Sequence, residues 1–201
     1  DGKSSFDAPS LIENLIDFEK EISIIVARNN KGQVRTFPSV ECEFNSEAHL
    51  VEFLFSPAEI SHEIEKKAKK IASDVIEKLD MVGILAVEMF LTKSGELLVN
   101  EIAPRPHNSG HHTIECCETS QFAQHLRAIL GLPLGSTALI QPGAMINLLG
   151  EKGHTGTAIY EGLSELLNHT HVFPHLYGKE QTKPLRKMGH ITITGNSIKE
   201  V

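Results

Sequence analysis

The chain is poor in cysteine and in aromatic side chains. Its 201 residues include three cysteines (Cys42, Cys116 and Cys117), no tryptophan and only 5% aromatic residues. A low, odd cysteine count is not that of a small disulfide-stapled secreted protein, and it favours a reducing compartment. The polar first ten residues do not resemble a signal peptide. We therefore expect a cytoplasmic protein.

Positive charge and long apolar runs are also scarce. Nineteen basic residues face 26 acidic ones, which gives a formal net charge of -7 at pH 7. Such a balance argues against a general binder of nucleic acid or of anionic membranes, although a small anionic ligand needs only a local group of cations. No apolar run approaches the roughly 18 residues that span a bilayer. We expect neither a nucleic-acid partner nor a membrane partner.

The hydrophobic pattern predicts a mixture of strands and helices. The most regular segment has Ile64, Ala68, Ile71, Val75 and Leu79 at three- and four-residue steps, as on one face of a helix. Runs rich in β-branched residues predict strands. The predicted elements are strands at 21–28, 33–40, 50–55, 82–91, 96–102, 144–149 and 190–194, and helices at 61–79 and 120–131.

This order of elements predicts an α+β fold with a largely antiparallel sheet and flanking helices. The turn at residues 29–32 makes the first two strands a hairpin, and the turn at residues 92–95 joins the strands at 82–91 and 96–102. Pro142 and Gly143 then interrupt the sequence of predicted helices and strands. We place a domain boundary there, with residues 1–142 forming the larger domain and residues 143–201 a small β-rich domain.

Two glutamates interrupt apolar strands. Glu88 lies within the strand at 82–91 and Glu101 within the strand at 96–102. If the turn is centred between Ser94 and Gly95, the two lie directly opposite each other, with Cβ atoms roughly 5 Å apart. Like charges so placed repel unless a divalent cation such as Mg²⁺ neutralises them. The alternative is that both side chains point to solvent, and a one-residue shift of the turn would separate them.

The residues after the second strand are dense in polar function. Residues 100–111 read NEIAPRPHNSGH. Arg105 offers a planar guanidinium suited to phosphate or carboxylate, and His107 can exchange protons near neutral pH. Five potential zinc ligands also lie close together in this part of the chain, namely His107, His111, His112, Cys116 and Cys117. Adjacent cysteines are not the usual two-residue-spaced zinc pair, so buried packing is the alternative for Cys116 and Cys117.

These stretches resemble the N5-carboxyaminoimidazole ribonucleotide synthetases, a family of ATP-grasp ligases. The similarity extends over about residues 11–194. It is carried by residues 83–90, the NEIAPRPHNSGH run, TSQF at 119–122, HLRA at 125–128 and GLPLG at 131–135. The resemblance implies an ATP-grasp fold and ATP-dependent carboxylation of 5-aminoimidazole ribonucleotide with bicarbonate in purine biosynthesis, through carboxyphosphate. It also implies ATP and Mg²⁺ as cofactors and a homodimer.

The resemblance assigns roles to the central residues. Glu88 and Glu101 would hold Mg²⁺, and Asn100 and Glu101 would border ATP. Arg105 would stabilise carboxyphosphate and, like His107 and Asn108, contact the aminoimidazole substrate. Arg105 and His107 are the candidate catalytic residues.

The resemblance also covers the two ends of the site. Residues 13–21 resemble the family's adenosine-binding hinge, with Glu13, the Leu15 and Ile16 backbone and Glu21 at its contact positions; the alternative is a solvated acidic strand entry. Lys179 and Arg186, assisted by Lys187, resemble the grip on the 5'-phosphate. The alternative there is a solvated basic loop.

The chain departs from the family at two places. Phe44 stands where many relatives have a histidine near the nucleotide. Asp1-Gly2-Lys3 resembles the start of the glycine-rich phosphate loop, but only seven residues follow it before the hinge region. We therefore expect a fragment or a sequence with stretches removed. The rival functions are another ATP-grasp ligase, such as a formate-dependent glycinamide ribonucleotide transformylase, and a nucleotide-binding module without turnover.

Overall fold

A computed structural model describes residues 12–44 and 51–201. Within them, nine strands form one sheet, namely β1 (Phe18–Arg28), β2 (Val34–Thr36), β3 (Val40–Phe44), β4 (Val51–Ser56), β5 (Gly83–Thr92), β6 (Leu97–Ala103), β7 (Gly143–Leu149), β9 (Val172–Leu176) and β11 (Lys187–Thr194). Every described pairing in this sheet is antiparallel. The strand order is β6-β5-β1-β3-β4-β7-β11-β9, and β2 pairs with β1. The predicted α+β class with a largely antiparallel sheet is confirmed.

The remaining elements are short apart from two helices. The helices are α1 (His62–Lys78), α2 (Thr113–Cys116), α3 (Gln121–Ile129) and α4 (Leu163–Leu166), with 3₁₀ turns at Asn108–Gly110 and Ile198–Glu200, and β8 (Gly156–Thr157) pairs with β10 (Gln181–Thr182). Helices α1 and α3 occupy the two predicted helical segments. No helix in the described ranges is long and apolar enough to cross a membrane.

The two faces of the sheet carry different cores. One face packs Ile22, Ile24 and Val26 of β1 against Ala68, Ala72 and Ile76 of α1. The other face packs Ile25 and Ala27 of β1 against Ala128 of α3 and the segment that follows it. Alternation along β1 and β5 separates the two sets, because successive strand residues point to opposite faces.

Helix α1 begins and ends where its sequence predicts. Ser61 caps its first turn, with the hydroxyl accepting from the Ile64 N–H at 3.2 Å. Its exposed face carries three ion pairs at i,i+4 spacing, of which Lys69–Glu65 at 2.8 Å is one. The apolar stripe therefore packs on the sheet while the charged face stays in water.

The first predicted hairpin is only partly correct. The return strand expected over residues 33–40 is cut to three residues in β2, and the chain pairs with β1 again only from Val40. Pro38 lies between the two strands and has no backbone N–H to donate to a ladder. The predicted strand is therefore reduced to β2, and β3 shares only Val40 with it.

The C-terminal strands extend the main sheet. Strand β7 pairs with β4, and β11 joins β7 to β9. Residues 143–201 thus contribute three strands to the same sheet as β1 and β5. They also contain the separate two-stranded sheet of β8 and β10. The predicted boundary at residue 142 falls immediately before β7 and stays a prediction.

Candidate active site

Strands β5 and β6 place two glutamates opposite each other. Glu88 and Glu101 are paired in the ladder, as predicted. The assumed position of the turn was wrong, because Met89 pairs with Val99 in the part of the ladder nearer the turn. The register there differs by one residue from the predicted register. A bulge takes up the extra residue, Asn100, and restores the Glu88–Glu101 pairing. Alternation therefore no longer assigns Asn100 and Glu101 to opposite faces.

A row of polar side chains runs across three strands on the face that carries α3. Ser23 pairs with Glu88, and Glu21 lies two residues away on the same face of β1. Glu88 is 9% exposed, and its burial together with the Glu101 charge raises its pKa to about 7. Burial likewise raises the pKa of Glu21 to about 7, with the Glu88 and Glu101 charges adding to the effect. Two poorly solvated carboxylates, Glu21 and Glu88, therefore lie close to the charge of the exposed Glu101.

His107 joins this row from the loop after β6. Its Nδ1 lies 3.4 Å from a carboxylate oxygen of Glu88 and 2.9 Å from the Ser109 hydroxyl. That hydroxyl is 2.8 Å from the hydroxyl of Ser23, which is fully buried. Burial, with Arg105 and Lys187 nearby, lowers the pKa of His107 to about 4. The imidazole is therefore neutral at pH 7, with Nδ1 turned towards the protein.

Lys187 approaches the same region from β11. Its ammonium donates to Oδ1 of Asn108 at 3.0 Å. Asn108 and Asn147 of β7 exchange two amide hydrogen bonds, of 2.8 and 3.0 Å. Burial lowers the pKa of Lys187, while the Glu88 charge opposes that shift. Strands β11 and β7 thus bring the Lys187 cation and the Asn147 amide to the edge of the acidic row formed by Glu21, Glu88 and Glu101. The Asn108 amide reaches the same place from the loop after β6.

The other predicted cations lie around this centre. Arg105 is exposed and donates to the Pro106 carbonyl at 3.1 Å, and its charge acts on Glu88, His107 and Lys187. Lys179 donates to the Lys187 carbonyl and lies 5.4 Å from the centre of the Tyr177 ring. Arg186 instead donates to the Gln181 carbonyl at 2.6 Å, within its own loop. Lys179 is therefore hydrogen-bonded to the main chain of Lys187, whereas Arg186 contacts only its own loop among these groups.

The residues predicted to contact ATP in the hinge and beside the phosphates divide into two groups. Glu13 and Leu15 are exposed and Ile16 is half-buried, in an irregular segment before β1. Glu21 is buried within the acidic row, and Asn100 is exposed in the β6 bulge. The phosphate-loop resemblance at residues 1–3 and the Phe44 side chain lie outside the part of the chain that is described.

One set of potential metal ligands converges among the described residues. Ligand atoms of Glu88, Glu101 and His107 all lie within 4.8 Å of one another. The facing carboxylates of Glu88, whose pKa is raised, and Glu101 fit a divalent cation, because a bound cation removes the repulsion between them. The zinc alternative finds no such support, since the described His111, His112, Cys116 and Cys117 form no comparable group. Both cysteines are buried, with pKa values raised by burial to about 12.

Known protein families match both parts of the chain. The ATP-grasp domain family matches residues 2–122. The chain belongs to the ATP-grasp family. The C-terminal domain family of phosphoribosylaminoimidazole carboxylase matches residues 143–201, the part of this ATP-grasp protein that contains β7 to β11.

Individual relatives agree with the ATP-grasp assignment. The chain is similar to N5-carboxyaminoimidazole ribonucleotide synthase of Bacillus subtilis strain 168, at 48% identity over 90% of this chain and 46% of that protein. It is also similar to the crystal structure of N5-carboxyaminoimidazole ribonucleotide synthetase from Thermotoga maritima, with a TM-score of 0.86, 49% identity, and coverage of 94% of this chain and 50% of that one.

A second similar structure contains ligands. It is N5-carboxyaminoimidazole synthase from Aspergillus clavatus in complex with ADP and 5-aminoimidazole ribonucleotide, with a TM-score of 0.83 and 36% identity. The match covers 91% of this chain and 48% of that one. The ATP-grasp chain thus spans about half the length of the relatives it matches.

Sequence reasoning missed several residues of this site. Ser23 interrupts an isoleucine-rich strand and Asn147 an apolar one, which is the same signal that singled out Glu88. Gln121 is fully buried at the start of α3, and its side chain bonds to the His107 main chain. No pattern in the sequence indicates that contact, because it joins residues 14 positions apart through an irregular loop.

Proposed function

We propose that this chain is the ligand-binding C-terminal part of an enzyme that carboxylates 5-aminoimidazole ribonucleotide with ATP and bicarbonate. The product is N5-carboxyaminoimidazole ribonucleotide, an intermediate of purine biosynthesis. The observation that carries the proposal is the convergence of Glu88, Glu101 and His107 beside Lys187 and Asn108. The names of the similar proteins support the same reaction, as does the ADP and ribonucleotide complex of the Aspergillus clavatus protein.

The reaction has two bond-forming steps. A bicarbonate oxygen attacks the γ-phosphorus of ATP, the bond to the β-phosphate oxygen breaks, and ADP and carboxyphosphate form. The exocyclic amine of the ribonucleotide then attacks the carboxyl carbon. In carboxyphosphate this attack breaks the carbon–oxygen bond to phosphate; alternatively, phosphate leaves first as CO₂ forms, and the amine attacks the CO₂. In either route the amine loses one proton, which the released phosphate accepts. Carboxyphosphate hydrolyses readily, so the site has to exclude water.

The acidic row suits the phosphate-transfer step. Glu88 and Glu101 would hold Mg²⁺ with its phosphate ligands, and Glu21 would contact the nucleotide. When bound, Mg²⁺ would offset the charge that develops on the transferred phosphoryl group. Asn100 and Glu101 would border the ATP phosphates. Glu13 and the backbone of Leu15 and Ile16 would contact the adenosine.

The loop after β6 and the lysines suit the second step. The exposed Arg105 guanidinium would bind the carboxyphosphate anion. The neutral His107 imidazole and the Asn108 carboxamide would contact the aminoimidazole. Lys179 and Lys187 would bind the 5'-phosphate, and Arg186 would join them after leaving the Gln181 carbonyl.

The cellular location, the oligomeric state and the domain organisation are proposed on the same basis. We propose a cytoplasmic enzyme, in agreement with three free thiols, and a homodimer by analogy with the family. Residues 1–142 and 143–201 would act as two sequence domains that share one sheet.

Steady-state ADP release by the full-length protein tests the proposal. We expect ADP release to require both bicarbonate and 5-aminoimidazole ribonucleotide, and to fall at least about 100-fold in Glu88→Gln. The matched variant Glu77→Gln makes the same chemical change on the exposed surface of α1 and should keep full activity. ADP release that instead requires formate and glycinamide ribonucleotide would indicate the rival ligase. Nucleotide binding without ADP release would indicate a non-catalytic module.

A further inference from the structure

Gln121 is a fully buried side chain that bonds to the loop carrying His107. Its Oε1 accepts from the His107 N–H at 2.8 Å, and its Nε2 donates to the His107 carbonyl at 2.7 Å. The same Nε2 lies 2.9 Å from Nδ1 of His111. One carboxamide therefore binds both main-chain groups of the residue whose imidazole contacts Glu88.

The hydrogen bonds to His107 allow only one orientation of the Gln121 carboxamide. Exchanging Oε1 and Nε2 would place two donors together at the His107 N–H and two acceptors together at the His107 carbonyl. The main chain of Gln121 is anchored as well, since its N–H donates to the Thr113 hydroxyl at 2.8 Å. That hydroxyl donates to the Gly110 carbonyl at 2.6 Å. The first residue of α3 is thus bound to the loop at several points.

Gly110 leaves the space that the carboxamide occupies. A Cβ at residue 110 would lie 2.5 Å from Oε1 and 2.6 Å from Cδ of Gln121, closer than side-chain atoms pack. The requirement for glycine at this position is therefore one of space.

The His107 peptide needs such a partner because it lies beyond the sheet. Strand β6 ends at Ala103, so the strand ladder does not supply hydrogen bonds to His107. A part-buried main-chain group without a hydrogen-bond partner destabilises the folded loop and leaves it free to adopt other conformations. The His107 carbonyl also accepts from the Gly110 N–H at 3.0 Å, but that turn bond leaves the His107 N–H unserved. Gln121 binds the N–H and the carbonyl together, as a neighbouring strand would.

We propose that Gln121 is a positioning residue for the ribonucleotide site: it fixes the His107 main chain so that the His107 imidazole and the Asn108 carboxamide meet the aminoimidazole substrate. The inference rests on the proposed function for the identity of the substrate. The contact itself does not depend on that function.

Helix α3 offers a matched control one turn away. Gln124 is also fully buried, and it accepts from the Gly135 N–H and donates to the Gly135 carbonyl, each at 2.9 Å. Gln121→Glu and Gln124→Glu therefore make the same change in the same helix, and each places an acceptor against a main-chain carbonyl. Only the first alters the loop at His107.

Kinetic measurements on the full-length protein distinguish a role of Gln121 in positioning the loop from a role in stability alone. We expect Gln121→Glu to lower kcat/KM for 5-aminoimidazole ribonucleotide by about 10- to 100-fold, with the KM for ATP changed less than about threefold. Gln124→Glu should lower the melting temperature comparably and leave both kinetic constants within about threefold of wild type. Equal kinetic losses in the two variants, or none in either, would overturn the inference.

Two further measurements cover a variant that fails to fold. Gly110→Ala displaces the carboxamide without changing its chemistry and should show the same selective loss. In the unsubstituted protein, hydrogen exchange at the His107 amide should be slowed at least about 10-fold relative to an unstructured peptide; exchange at the unstructured rate would overturn the inference. Slow exchange in a protein that does not use the ribonucleotide would uphold the contact and overturn its proposed role with that substrate.

Discussion

Glu88 lies directly opposite Glu101 in the β5–β6 ladder, and a bulge at Asn100 is what brings them into register. Without the extra residue the strand would continue the pairing seen nearer the turn, and the two carboxylates would be offset. The bulge therefore concentrates negative charge at one point of the sheet. This placement favours cation binding at the expense of the stability of the cation-free protein.

Glu88→Gln should have opposite effects on cation binding and on stability. We expect it to weaken Mn²⁺ binding in the presence of ADP at least about 10-fold, measured by electron paramagnetic resonance, while Glu77→Gln leaves binding unchanged. In cation-free buffer at pH 8 the variant should be more stable than the wild type by on the order of 1–2 kcal/mol, or a few degrees in melting temperature.

The pH dependence of that stability gain follows from the raised pKa of Glu88. A carboxyl with a pKa of about 7 in the folded protein and an ordinary value when unfolded binds more protons when folded. Wild-type stability from this group therefore falls as pH rises from about 4.5 through 7. The advantage of Glu88→Gln should disappear at pH 5, where Glu88 is already neutral; an advantage that persists at pH 5 would contradict the repulsion argument.

Buried histidines should give the opposite pH dependence. His190 is 3% exposed, stacks between His111 and His175 at ring distances of 4.9 and 4.5 Å, and lies 3.0 Å from the Tyr177 hydroxyl. Burial, with the charges of His111 and His175, lowers its pKa to about 3. The unfolded chain therefore binds the extra proton, and stability is lost as pH falls from about 6.5 towards 3.

His190→Phe should reduce this acid sensitivity. Urea unfolding at pH 7.5 and pH 5 should show a smaller loss of stability in the variant than in the wild type, by about 1–2 kcal/mol. His154→Gln, a change at an exposed histidine, serves as the control and should behave like the wild type. Identical acid sensitivity in His190→Phe and the wild type would mean that His190 is not held neutral.

Asn147→Asp should weaken ribonucleotide binding. The carboxylate can still accept from Asn108 but cannot donate to its Oδ1, so the reciprocal amide pair loses one hydrogen bond. We expect about 10-fold weaker binding of 5-aminoimidazole ribonucleotide by calorimetry, with ADP binding unchanged. Asn29→Asp makes the same change at a buried residue elsewhere, where Nδ2 donates to the Leu132 carbonyl, and should lower stability without affecting either ligand.

The caps of α1 and α3 provide a second matched pair. Ser61 and Ser120 each accept from a backbone N–H at 3.2 Å, and replacing either by alanine should cost about 1 kcal/mol in unfolding free energy. Because α3 begins at Gln121, only Ser120→Ala should speed hydrogen exchange at the His107 amide. Faster exchange in both variants would indicate a global effect instead of a local one.

Much of the fold could be predicted from local patterns. Helix α1 has a capping serine, an apolar stripe and paired charges, and the structure agrees with its predicted limits within a residue or so. Strands β5 and β6 follow from their apolar runs. The end of β2 at Thr36 was missed because the prediction gave more weight to the β-branched residues of 33–40 than to Pro38.

The site was only partly predictable because its contacts depend on tertiary placement. The Glu88–Glu101 pairing was predicted from an assumed turn that was one residue in error, and the bulge compensated. Ser23 and Asn147 carried a visible signal as polar residues in apolar strands. The side-chain bonds of Gln121 and Lys187 depend on how a loop and a distant strand approach the sheet, which spacing in the sequence does not specify.

The β4–β7 pairing has a mechanical consequence. Residues 53–56 share backbone hydrogen bonds with residues 143–146, so the Glu88 carboxylate of β5 and Lys187 at the start of β11 belong to one continuous sheet. A hinge motion between the regions matched by the two families would have to break the backbone hydrogen bonds between β4 and β7. The anionic and cationic ends of the site are therefore held at a fixed separation, and closure over a ligand has to come from elements that approach the sheet from outside it.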